Sequence, residues 1–172
     1  MTYREKVSMD LMTGLVKTRN NKKLEIQDEL NKKSQMIADL YKKCENLVYS
    51  KDFQVKLFDT LTKYIADYKD ADTIDKVVIT VQAYFLDEDR LSITFRIRGQ
   101  KDIDTCGIYP DYIKFTKEDY VELTEKGAEY LQGALKEYGF RDVHASEGQD
   151  AGDWEGEYHF YEVEVYATIP RE

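Results

Sequence analysis

Histidine, proline and cysteine occur twice each in this chain of 172 residues, and tryptophan once. Two cysteines, Cys44 and Cys106, cannot build the disulfide framework of a small secreted domain, so a reducing, cytoplasmic setting is expected. Two prolines argue against long disordered tracts, which a charged fraction of 34% would otherwise allow. The two histidines, His144 and His159, lack the short paired spacings of a zinc site, and neither metal nor cofactor is expected. The longest apolar runs, such as Val77-Val78-Ile79, fall far short of the roughly 18 residues that a membrane span needs. Residues 1–6 lead into no apolar segment, so no secretory signal is expected. Also missing are a phosphate-cradling glycine loop, a Gly-x-Ser-x-Gly elbow and a His-Glu-x-x-His pair. A nucleophilic pair of Cys106 with His144 has no local support, and the reading leans away from an enzyme.

Acidic side chains are plentiful. The formal net charge is −9, and it is unevenly placed: residues 1–70 carry +3 and residues 71–172 carry −12. The apolar pattern changes at the same point, which divides the chain into a helical segment (1–70) and an acidic α+β domain (71–172). At this length roughly two-thirds of the unfolded surface can be buried, enough for a core without staples.

Between Tyr3 and Tyr68 there is no proline and one glycine, Gly14. Val7, Leu11 and Leu15 form a stripe at helical spacing, interrupted by the polar run Thr18 to Lys23, which reads as a turn. One continuous helix about 70 Å long is the alternative. Ile26, Leu30, Lys33, Ile37, Leu40, Cys44 and Leu47 then follow a four-three spacing, a coiled-coil-like seam with Lys33 as its charged interruption. Self-association through residues 24–48 is expected on that basis, with packing onto the next helix as the alternative. Ser50 suits the N-cap of a further helix bearing Phe53, Leu57, Leu61 and Ile65.

Beyond Thr73 the period falls to two. Lys76 to Leu86 is apolar on both faces, as a central strand would be. Leu91, Ile93, Phe95 and Ile97 alternate with polar residues, which completes a hairpin. A short third strand is expected at residues 112–115. Thr116 to Asp119 resembles a capping box, Gly139 with Phe140 a helix ending, and strands follow from Arg141 and from Tyr161. The expected fold is α+β: two or three N-terminal helices, then a two-layer antiparallel sheet with one covering helix, in the order ααα-ββ(β)αββ.

Candidate contact residues gather in two places. In the irregular stretch 146–157, Asp150, Asp153, Glu155 and Glu157 surround the lone Trp154, in the manner of an aromatic interface anchor ringed by polar groups. Their spacing is not that of an EF-hand loop. Arg96 and Arg98 share a predicted wet face, as do Glu162 and Glu164; cross-strand ion pairs account for all four if their strands are neighbours. A ligand platform of the same residues with Tyr84 and Tyr166 is the alternative. The segment Leu123 to Gly127, followed by Glu129-Tyr130-Leu131, resembles the junction where a wing leads into the dimerisation helix of winged-helix regulators. No recognition helix precedes it, and no function is carried over.

The composition therefore points to a non-enzymatic interaction module whose acidic domain binds a basic surface on a protein partner. An inhibitor or immunity-type protein that fills a nucleic-acid-binding groove would have this charge. Alternatives are a small-molecule binder with loops 99–112 and 146–157 as its rim, and nucleic-acid binding through Lys22, Lys23, Lys32, Lys33, Lys42 and Lys43. These lysine pairs recur every ten residues and so wind around a helix rather than line one face. Direct nucleic-acid binding and membrane association are therefore not expected.

Overall fold

The computed structural model describes residues 1–69, 74–85, 90–111, 113–152 and 158–170. Helix α1 runs without a break from Tyr3 to Val48, and α2 from Lys51 to Asp67. The turn expected at Thr18 to Lys23 is therefore absent. That run contains neither proline nor glycine, so nothing in it breaks the backbone ladder; a polar interruption changes what the helix presents, not whether it continues. Two N-terminal helices result, not three. The chain divides into two compact units, residues 1–38 and 39–172, so the last turns of α1 and all of α2 belong with the sheet. Among the described residues no helix is long and apolar enough to cross a membrane.

In the larger unit, Ser50 caps α2 as its sequence suggests, its hydroxyl accepting from the backbone N–H of Phe53 at 3.1 Å. Strands β1 (Lys76–Tyr84), β2 (Leu91–Ile97), β3 (Asp102–Ile108), β4 (Arg141–Ala145), β5 (Gln149–Gly152) and β6 (Tyr158–Thr168) form one antiparallel sheet. The order across it is β3-β2-β1-β6-β4, with β5 also pairing to β6. Helix α3 (Lys117–Glu137) connects β3 to β4. The third strand thus precedes its expected position: residues 113–115 are not strand, and the pairing partner of β2 lies at 102–108. Ile103 and Cys106 turn into the core there, although Gly107 within the strand and Pro110 just beyond it are turn-like residues that make the stretch 99–112 look irregular from its sequence.

Every second residue of the central strands points into one core: Val77, Ile79, Val81 and Ala83 on β1, and Leu91, Ile93, Phe95 and Ile97 on β2. Helix α3 covers this face with Leu123, Leu131 and Leu135, while Phe53 of α2 meets Phe95 edge-on at 5.6 Å. Leu40 and Cys44 of the predicted self-association seam are buried, as is Val48 next to its last member Leu47, so this part of the seam is core and unavailable to a second molecule. The capping box is present, with Thr116 and Asp119 exchanging side-chain to backbone hydrogen bonds. Gly139, at φ +100°, ends α3, and Phe140 N–H reaches back to the Leu135 carbonyl at 3.0 Å. Leu123 to Gly127 lies inside α3, so the junction seen in winged-helix regulators does not occur there.

Candidate functional site

The two faces of the sheet hold different chemistry. On the face away from α3, Arg98 donates to Glu164, and Tyr166 donates its hydroxyl to the other Glu164 oxygen. The His144 ring stacks on Tyr166 at 5.1 Å and 14°. The Tyr166 hydrogen bond, followed by Arg98, holds the Glu164 carboxyl below its usual range. The same bond raises the Tyr166 hydroxyl above its ordinary value, and Glu164 raises Arg98. Arg96 turns instead to Asp102, at 2.7 Å, and Gln82 donates to Glu162 at 2.9 Å. Strand β1 separates β2 from β6, so Arg96 and Arg98 do not stand beside Glu162 and Glu164 as strand neighbours. Only Arg98 reaches across. A shallow pocket of about 270 Å³ lies over Ser92, Thr94 and Thr105, with Tyr84, Tyr109 and Phe160 at its sides. This face keeps its ionic groups largely paired with one another and offers hydroxyls and aromatic edges.

The outer face of α3 is different. Glu118, Glu122, Glu125 and Glu129 follow one another at spacings of four, three and four, which places all of them on one exposed line of the helix. Lys126 reaches Glu129 at 3.4 Å and Lys117 pairs with Asp150 at 2.6 Å, so both nearby lysines are engaged. The hydroxyls of the tyrosines bordering this line are raised, chiefly by burial, and the nearby carboxylates add to it. Burial, followed by the charges of Glu122 and Asp119, pushes the Tyr41 hydroxyl up to about 12. Tyr161 donates to Glu125 at 3.1 Å, and its hydroxyl is raised by burial, by that bond and by the charges of Asp150 and Glu118. Tyr130 is raised chiefly by burial, opposed by the charge of Lys126, with Glu45 and Glu129 adding to the rise. A groove of about 400 Å³ borders the line, with Glu125, Glu147, Gln132 and Tyr161 around a floor of Ala128 and Val163.

The residues expected to act together are divided by the sheet. Arg96, Arg98 and Tyr166 occupy the open face, whereas Asp150 points to the α3 side, where Lys117 holds it. Asp153, Trp154, Glu155 and Glu157 lie outside the described residues. The two proposed rim segments also stand apart: residues 102–108 are the β3 edge, and 149–152 pair at the opposite side with β6. They line separate pockets among the described residues. Cys106 on β3 and His144 on β4 are four strand spacings apart, about 19 Å, and cannot form a nucleophilic pair. Cys106 neighbours Cys44 instead; both are buried and free. No group of three or more His, Cys, Asp or Glu side chains is placed to hold a metal among the described residues.

The glutamate line on α3 was not singled out from the sequence. Its signal was available in the four-three-four spacing, but it becomes a site only when the opposite side of the helix is known to face the core. No protein-family model, no curated protein and no solved structure matches the chain.

Proposed function

We propose that residues 39–172 form a protein-binding module whose acidic α3 face docks on a basic surface of another protein, such as a nucleic-acid-binding groove. One observation carries this reading: four glutamates aligned on the exposed side of a helix whose neighbouring lysines are already paired. Residues 39–172 carry −12, so the face sits in a domain whose field steers toward cationic partners and repels phosphate. An inhibitor or immunity-type role is the functional form of this binding, in a reducing, cytoplasmic setting that suits two free thiols.

The test is a capture experiment with the full chain and with a variant in which Glu118, Glu122, Glu125 and Glu129 are changed to Lys. The wild type is expected to retain a basic, nucleic-acid-binding protein and to release it as salt rises or as DNA is added. The variant should be folded by circular dichroism and retain none of it. Equal capture by both proteins would remove α3 from the binding surface.

A further inference from the structure

We propose that the exposed part of α1, residues 12–37, pairs antiparallel with the same segment of a second copy of this chain. The helix presents large apolar side chains to water along its length: Leu15 is 64% exposed, Leu30 52% and Ile26 47%. These positions extend, toward the N-terminus, the stripe whose members Leu40 and Cys44 are fully buried. A stripe of this length left in water is the kind of apolar surface that marks an interaction site.

The occupant follows from three observations. Each large aliphatic side chain that leaves water removes on the order of 100 Å². The half-exposed stripe residues between 12 and 37, with the alkyl stems of the basic residues among them, therefore bury about 1,200 Å² over two copies, which is what a specific interface needs. Second, apart from Arg19, Lys23 and Lys33, residues 1–38 mix five Lys and Arg with five Asp and Glu, and the segment contains no Phe or Trp. A membrane-surface helix would instead be dominated by Lys and Arg and anchored by large aromatics, whereas mixed flanking charge is usual in helix pairing.

Third, the positions of the charges select the orientation. Met12, Arg19, Ile26 and Lys33 repeat every seven residues, and Val16, Lys23, Leu30 and Ile37 stand between them. In a parallel, in-register pair Arg19, Lys23 and Lys33 would each face its own copy. An antiparallel pair with its two-fold axis between residues 24 and 25 avoids this. Arg19 then lies opposite Leu30, Lys23 opposite Ile26, Lys33 opposite Val16 and Met12 opposite Ile37, so no layer of the seam joins two cations. The flanks agree with the same register. Lys22 faces Glu29 of the second copy, twice by symmetry, and Leu15 faces Met36. Within one chain Lys22 only leans on Glu25 at 3.5 Å, both groups being about two-thirds exposed, a contact easily exchanged.

Sedimentation equilibrium of the full chain at micromolar concentration tests the proposal. The 20.2 kDa chain should sediment as a dimer. Ile26→Asp with Leu30→Asp should return it to a monomer with unchanged helical circular dichroism, since both side chains are exposed in the single chain. Lys22→Glu alone, or Glu29→Lys alone, should raise the dimer dissociation constant roughly tenfold, and the two together should restore it. A wild type that remains monomeric overturns the proposal, as does monomeric protein that binds anionic vesicles. Failure of the double exchange to restore pairing overturns the antiparallel register.

Discussion

Arg98 and Glu164 form an ion pair across the whole width of β1, joining the end of β2 to β6 although those strands never touch. The pair is diagonal. Thr80 of β1 lies between Arg96 and Glu164 in register, so the Arg98 side chain must pass over β1 to reach the carboxylate. Tyr166 completes the arrangement from the same strand as Glu164. One carboxylate thus ties the end of β2 to β6 on the open face.

Glu164→Gln should destabilise the protein by about 1–2 kcal/mol at neutral pH, because two charge-assisted hydrogen bonds are weakened. The folded carboxyl titrates below its ordinary value, so its contribution is complete above the usual carboxylate range and is lost as pH falls through the lowered value. Urea denaturation at several pH values should show wild type and variant converging toward acid. A constant gap between them would refute this origin.

Gly148 allows Tyr161 to reach Glu125. A Cβ at residue 148 would stand 1.9 Å from the Tyr161 hydroxyl and 2.3 Å from the ring carbon bearing it. Gly148→Ala should therefore displace the ring, bring the Tyr161 pKa back toward the ordinary tyrosine value and cost about 1–2 kcal/mol. Titration of the tyrosine ring resonances by NMR is the measurement; an unshifted Tyr161 would show that the ring accommodates the methyl group.

Cys44 and Cys106 should titrate as an unequal pair. The hydrogen bond from Cys44 holds the Cys106 thiol below the usual range, helped by the charge of Lys43 and opposed by burial, while Cys44 is pushed up. Cys44→Ala removes the donor, so the Cys106 midpoint should rise, as followed by thiolate ultraviolet absorbance. No change would mean that the two thiols ionise independently.

Phe95→Ala should cost about 3–5 kcal/mol, since the ring is fully buried and loses its edge-on contact with Phe53. Ser50→Ala, which removes only the cap of α2, should cost about 1 kcal/mol. Chemical denaturation of both variants gives the ratio; equal losses would mean that α2 is held by its cap rather than by its packing.

Local features were legible because their causes are local. The Thr116–Asp119 box, the Ser50 cap, the Gly139 ending and the alternation of Leu91 to Ile97 each depend on a few consecutive residues. The polar run Thr18 to Lys23 looks like a break in the apolar stripe, but only proline, glycine or a competing cap would end a helix there, and α1 continues through it. The strand at 102–108 was hidden because it draws its hydrogen bonds from β2, a partner that its own residues do not specify. The sequence groups Arg96 and Arg98 with Glu162 and Glu164 only on the condition that their strands are neighbours; strand order puts β1 between them and leaves Arg98 alone to reach Glu164.

Residue periodicity, turn chemistry and composition alone determined the α+β class, the capped helices, the buried faces of the central strands and the acidic character of the second half. Those are short-range properties, set by backbone sterics and by which side chains leave water. Tertiary structure decided which residues share a surface: Asp150 with α3, Arg98 with Glu164, Cys44 with Cys106, and the four glutamates turned outward from the core. Strand order and helix docking bring together residues distant in the chain, and no spacing along the sequence encodes that choice.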